Sequence, residues 1–372
     1  MADLMEVARM ERERGQQEEI YWSIDERRLR AAAVAQLYHL ELINSWSEIA
    51  GRLDIDRRLV PHLLKAAHEN YQLVDVRVHH PLRRRDDLAA RLRRACPSLR
   101  DAVVVETPPW REHTKEEVGR AAARRLDEII GAMTEPTQGR SEIVIAVSWG
   151  STLAEVAKAP PARQREASVV CVPTHGSTPI LKTPHNPLDL LAWQANEVAR
   201  CLAERLRGVW YPLNVPALVR NPGFARWLET DTLAAPVLAL ARRADIVLVG
   251  MGTVEENAAF YSSGAISKGD LQEIRGDKGV GHICGRFFRL DGQLCRWGLE
   301  HHILGLGLED LRERVRQGKV VMGVVGGREK SKPLLGGIRA RAVNYVVTDA
   351  VCCEGLLRIT DRARRPAGAQ SR

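Results

Sequence analysis

Apolar positions along the chain change their period several times. Residues 1–28 hold few apolar anchors among mixed charges, the pattern of a frayed helix or a mobile tail. From Arg30 onward Ala33, Val34, Leu37, Tyr38 and Leu40 recur at helical spacing and predict an amphipathic helix of roughly three turns. Ser45 and Glu48 then have the spacing of a capping box, with Ile49 and Leu53 on the inward face of a second helix. Asp56 has the type and place of an N-cap for a third helix that carries Val60, Leu63, Leu64 and Ala67. The segment LVDVRVHHP, from Leu73 to Pro81, alternates apolar and polar residues and reads as a short strand. Two short helices joined by a tight turn and followed by a strand have the layout of a plain or winged helix-turn-helix.

Residues 82–115 are strongly charged at first (LRRRDDLAARLRR) and then broken at Cys96-Pro97 and Pro108-Pro109, which predicts a linker. From 116 to 372 one grammar repeats: a short apolar, β-branched run ends in a Gly, Ser or Thr cluster, and a helical stretch follows. EIVIAV leads into SWGSTL, SVVCV into PTHGS, DIVLV into GMGT, KVVMGVV into GGREK and VNYVV into TDA. Continuous apolar runs suit strands covered on both faces, hence an α/β fold with a doubly wound parallel sheet. The expected layout is a charged tail over 1–29, an all-α (winged) helix-turn-helix domain over 30–81, a linker over 82–115 and the α/β domain over 116–372.

Composition narrows the class. Of 372 residues 45% are apolar and 27% charged, the balance of an ordinary globular chain. No run approaches the ~18–20 uncharged apolar residues of a membrane span, and the charged start is no signal peptide, so the expected location is the cytoplasm. Seven cysteines with no C-x-x-C argue for buried reduced thiols, and no recognised histidine spacing points to a metal. Neither a metal nor a cofactor is expected.

The loops after the strands carry the chemistry, because ligands of such sheets bind beyond the carboxyl ends of the strands. Gly150, Ser151 and Thr152 open a helix directly after a strand, where free amides and hydroxyls suit a phosphate ester; a capped tight turn is the structural alternative. Gly252 and Thr253 follow DIVLV, and Lys330 follows the Gly326-Gly327 turn, where a lysine can meet a second anionic group or form a Schiff base if desolvated. Neither a dinucleotide G-x-G-x-x-G fingerprint nor a Walker loop is present.

These residues resemble a family, the SorC/DeoR-type sugar-responsive bacterial transcriptional regulators. The resemblance runs over about 340 residues and is carried by SEIAGRLDID, IAVSWGSTLAEVA, YPLNVPALV, ADIVLVGMGT, Ser263-Gly264, GVGHICGRFF with Asp291-Gly292, LGLGLEDLR, VVGGREK and VNYVVTD, in that order. It implies an N-terminal DNA-binding domain, an effector domain related in fold to sugar-phosphate isomerases, a phosphorylated sugar as effector, and a homo-oligomer, dimer or tetramer. It carries over Gly150, Ser151, Thr152, Gly252, Thr253 and Lys330 as effector ligands, with Thr174, Gly176 and Asp270 as further pocket candidates. Ser45, Arg57, Arg58, His62 and Lys65 are the DNA-facing candidates.

Two departures stand out. His282 follows Gly281 where the family usually has Gly-Asp. The recognition-helix pattern reads Asp56, Arg57, Arg58, Leu59, Val60, Pro61, His62, and an interior proline costs ~3 kcal/mol, so the helix is expected either to begin at Pro61 or to start at Asp56 and kink. Charge is mixed: residues 1–90 hold 14 Lys+Arg against 16 Asp+Glu, while 57–94 hold 10 against 4. A ligand-controlled regulator that binds operator DNA is therefore expected, not an enzyme. The alternatives are a sugar-phosphate isomerase or deaminase using His175, His282 or Asp270, or a sensor with degenerate DNA binding.

Overall fold

The computed structural model describes residues 22–39, 41, 43–71, 73, 83–107, 114–135, 141–160, 167–179, 186–299 and 302–364. The chain divides into two compact units, Met1–Pro81 and Leu82–Arg372. Among the described residues no helix is long and apolar enough to cross a membrane.

In the first unit, helices Ile24–His39, Trp46–Leu53 and Leu59–Glu69 enclose a small core of Val34, Leu37, Ile49, Val60, Leu63 and Ala67. The first helix starts six residues before Arg30, inside the stretch expected as a tail. Asp25 and Glu26 in its first turn explain both its start and its polar appearance, since acidic side chains favour a helix N-terminus. Ser45 caps the second helix, its hydroxyl accepting from the Glu48 amide at 3.4 Å, while the Glu48 carboxylate turns to Arg52 at 3.2 Å. That helix ends at Asp54, a left-handed residue with φ 49°.

Neither expected start of the third helix is correct. It begins at Leu59 and Pro61 is its third residue. The first-turn amides of a helix have no intrahelical acceptor, so a proline there forfeits no bond and no kink is needed. Asp56 sits in the turn before it, where its carboxylate accepts from the Arg58 amide at 2.8 Å and from the guanidinium at 3.0 and 2.6 Å. The strand expected from Leu73 to Pro81 falls, apart from Leu73, outside the described residues.

The second unit is built on a seven-stranded parallel sheet in the order β1-β9-β8-β5-β2-β3-β4. The strands are β1 Asp101–Val105, β2 Glu142–Val147, β3 Ser168–Pro173, β4 Val209–Trp210, β5 Ile246–Val249, β8 Val320–Val324 and β9 Tyr345–Asp349; β6 Gly279–Ile283 and β7 Arg286–Arg289 form a separate antiparallel hairpin. Successive residues of each strand alternate between two cores. Val144, Ala146, Val170 and Val247 pack on one face against helices Ala234–Arg242, Ser331–Arg339 and Ala350–Arg364. Ile143, Ile145, Val169 and Ile246 pack on the other against Thr114–Met133, Ser151–Lys158 and Ala195–Leu206. Burial on both faces is why these strands read as unbroken apolar runs.

The segment expected as a linker is not one. Helix Asp86–Ala95 buries Leu88, Ala89 and Leu92, and β1 pairs with β9 at the sheet edge. Its charges occupy the outward face of the helix, so a high local charge density concealed a buried stripe. All seven cysteines are unbridged, six of them buried.

Candidate functional site

The strand order reverses between β2 and β5. From β2 the chain moves outward to β3 and β4, then returns to lay β5, β8 and β9 on the opposite side. The loops leaving β2 and β5 therefore diverge and open a crevice between them, where sheets of this type bind ligands. A cleft of about 650 Å³ lies there.

One wall is the start of helix Ser151–Lys158. Gly150 at its N-cap has φ 135°, a conformation closed to other residues, and its amide donates to the Trp193 carbonyl at 2.9 Å. No side chain caps this helix, in contrast with those capped by Ser45, Asn186, Asn221 and Ser267. Gly150, Ser151, Thr152 and Leu153 of this helix start line the cleft.

The second wall is the loop after β5. Gly252 exchanges two backbone hydrogen bonds with His282 of β6, at 3.0 and 3.1 Å. The imidazole lies so close that a Cβ on Gly252 would stand 1.8 Å from Nε2. Phe260 and Phe287 pack on the ring at 5.1 and 4.9 Å. His282 is only 3% exposed, and among the described residues its Nδ1 has no hydrogen-bond partner. Burial, with Lys330 and His175 nearby, pushes its pKa down to about 3, so the ring is neutral at physiological pH.

The third wall follows β8. Gly327, with φ 99°, donates its amide to Asp349 at 2.9 Å, and the turn delivers Lys330 to the cleft. Burial lowers the Lys330 pKa, Lys115 adds to that, and Glu329 opposes it. Asp349 is consumed internally, accepting also from Thr107 at 2.8 Å and from the Cys352 amide at 3.4 Å. Lys115 lies over the Trp193 ring at 5.3 Å.

Gly150, Ser151, Thr152, Gly252, Thr253 and Lys330 thus meet in one cleft, whereas Thr174, Gly176 and Asp270 are not among its lining residues. Thr174 is fully buried and takes the Cys284 thiol at 3.4 Å. Gly176 lies against the backbone of Val215 and Pro216, where any Cβ would clash. Asp270 closes a capping box with Ser267 and pairs with Arg220 at 3.1 Å. Sequence reasoning missed Lys115, Trp149, Asn257 and Arg328 as lining residues; Lys115 and Asn257 follow no glycine turn at a strand end, whereas Arg328 stands directly after the Gly326-Gly327 turn and Trp149 directly before Gly150. His282 lines the cleft as well; the sequence marks it as a departure after Gly281 and as a candidate of the isomerase alternative, not as an effector ligand.

In the first unit Arg57, His62 and Lys65 are exposed, and Lys65 lies 3.7 Å from Glu69. Arg58 is held by Asp56, and the Ser45 hydroxyl is engaged as a cap. Among the described residues no group of three or more His, Cys, Asp or Glu is placed to hold a metal ion.

The chain is similar to the deoxyribonucleoside regulator of Bacillus subtilis, with 24% identity over 85% of this chain and 93% of the relative. It is similar also to the sorbitol operon regulator of Klebsiella pneumoniae, with 25% identity over 87% of this chain and 96% of the relative. The crystal structure of the full-length Klebsiella pneumoniae regulator SorC shares the fold, with a TM-score of 0.61 at 23% identity, covering 90% of this chain and 99% of that one. A family model described as "Putative sugar-binding domain" matches residues 80–358, which is 279 of 372 residues. The chain belongs to this sugar-binding domain family, and its relatives are SorC/DeoR-type regulators.

Proposed function

We propose that the protein is a transcriptional regulator that binds operator DNA through its N-terminal unit and changes its affinity when a phosphorylated sugar occupies the cleft. One observation carries the reading: an uncapped helix start, the Gly252-Thr253 loop and Lys330 converge at the reversal point of the sheet. The amides and hydroxyls of Gly150–Thr152 receive the phosphate, and Lys330 meets a further polar group of the sugar. The named functions of the relatives, each a regulator, support the same reading.

Helix Leu59–Glu69 is the DNA-reading helix, with His62 and Lys65 on its exposed side, Arg57 exposed in the turn before it, and Arg57 and Lys65 directed to phosphates. Effector binding shifts the arrangement of subunits in a homo-oligomer and so the spacing of paired DNA-reading units. An isomerase or deaminase reading is less well supported: His175 and Asp270 do not line the cleft, and His282, which does, has a pKa pushed down by burial to about 3, too low for a general base at neutral pH. The test is an anisotropy titration of the full chain against its own upstream DNA, with and without a panel of sugar phosphates, across salt. Binding no stronger than to random DNA would remove the regulator reading.

A further inference from the structure

Two imidazoles meet between the first and third helices of the first unit. His39 is the last residue of helix Ile24–His39, and His68 stands in the last turn of helix Leu59–Glu69. Their Nε2 atoms are 2.9 Å apart and their ring centroids 5.0 Å apart. The two nitrogens therefore point at each other, one donating and one accepting, rather than at a third point between them. Both rings are half-buried, whereas Leu37, Leu63 and Ala67 of the same two helices are buried in the core. Tyr38 meets His39 edge-on, with centroids 4.9 Å apart. The charges of the three helices and the turn after the first are engaged with one another: Glu41 and Glu48 with Arg52 at 2.9 and 3.2 Å, and Glu69 with Lys65 at 3.7 Å. Asp56 pairs with Arg58 at the opposite end of the third helix, and Arg30 lies over the Trp22 ring. Among the described residues no carboxylate stands within ion-pair distance of either imidazole.

Two neutral rings hold this contact when one carries its proton on Nε2 and the other on Nδ1. One added proton enters at the bare Nδ1 of the donating ring and leaves a charge-assisted bond. A second must enter the line between the two Nε2 atoms, which sets two N–H groups head to head on two cations with no carboxylate to share the charge. We infer that the His39–His68 pair is a proton-operated latch: it ties the first helix to the third with no added proton or with one, and a second proton, taken up as the medium turns acid, opens it and loosens helix Leu59–Glu69. The effect on DNA rests on the reading of that helix as the DNA-reading one, and the latch itself does not. Burial and then the neighbouring His68 lower the His39 pKa from 6.5. The contribution of the contact is therefore present above that ordinary value and is lost as pH falls below it.

Hydrogen exchange of the full chain, read peptide by peptide by mass spectrometry as protection over the unfolded rate, tests the latch without DNA. In the wild type, protection of peptides from helices Ile24–His39 and Leu59–Glu69 falls by at least about tenfold between about pH 7.5 and about pH 5, within the limit of about tenfold per pH unit for one proton. His39→Gln and His68→Gln each leave a single titrating ring beside an amide that still bonds to it, so in either variant the fall shrinks to less than about threefold. Both variants keep His175 and His282, which separates the acid response of the second unit. Circular dichroism at neutral pH checks folding, and one folded variant is enough for the comparison. Wild-type protection that does not fall would overturn the inference whatever the variants do, and so would a fall of equal size in a folded variant. In a parallel anisotropy titration against the chain's own upstream DNA, wild-type affinity drops with acid more steeply than that of either variant, and equal slopes would overturn the action on DNA. The stated exchange behaviour without specific DNA binding at any pH would remove the regulator reading and leave the latch standing.

Discussion

Gly252→Ala isolates the packing that shapes the cleft. The added methyl would lie 1.8 Å from His282 Nε2 and 2.5 Å from its Cδ2 and Cε1, far inside contact distance. The imidazole cannot retreat freely, because Phe260 and Phe287 pack on it and it is 97% buried. Overpacking of this kind costs about 1–3 kcal/mol. At ~2–4 °C per kcal/mol for a large domain, the melting temperature should fall by several degrees. Sugar-phosphate affinity should fall with it, since the displaced ring or loop distorts the second wall. The double variant Gly252→Ala, His282→Ala supplies the check, because with the ring removed the methyl has room and its cost should drop below about 0.5 kcal/mol. Calorimetric melting of the four proteins closes the cycle. An equal cost of the methyl in both backgrounds would show that the steric argument is wrong.

Four further outcomes are expected. Ser151→Ala with Thr152→Ala should weaken sugar-phosphate binding by ~1.5–3 kcal/mol per lost hydrogen bond to the anion, with operator affinity in the absence of effector unchanged; equal loss of both would mean a structural role. His175 and His282 have pKa values pushed down chiefly by burial, to about 4 and about 3, from 6.5. As pH falls below 6.5 the unfolded chain gains protons that the native state refuses, so stability should fall by up to ~1.4 kcal/mol per pH unit for each histidine, and urea midpoints unchanged between pH 7.5 and 5 would contradict this. Pro61→Ala should cost at most about 1 kcal/mol, because the proline occupies the first helical turn; a large gain in melting temperature would instead place it in a helix interior. Arg57→Ala with Lys65→Ala should weaken operator binding across sequences and lower the salt slope by about 2, read from anisotropy at several salt concentrations.

The strands EIVIAV, SVVCV, DIVLV, KVVMGVV and VNYVV were legible as β2, β3, β5, β8 and β9, because burial on both faces leaves an unbroken apolar run that no surface segment tolerates. Gly150, Ser151, Thr152, Gly252, Thr253 and Lys330 were legible too, each placed by a strand end that sheet geometry sends to the same rim. The edge strand β1 and helix Asp86–Ala95 were hidden beneath charges that face away from the core. Thr174, Gly176 and Asp270, pocket candidates by the resemblance alone, are engaged in packing or a helix cap away from the cleft lining, a use that residue type does not distinguish from binding.

Local pattern thus settled which segments are strands and which turns follow them, since that depends on burial period and turn chemistry within a few residues. Which turns share a wall depended on the strand order and its reversal between β2 and β5, a long-range property that no short window of sequence contains. The same holds for His282: its neutrality and its seat over Gly252 arise from the hairpin meeting the β5 loop, two segments about thirty residues apart.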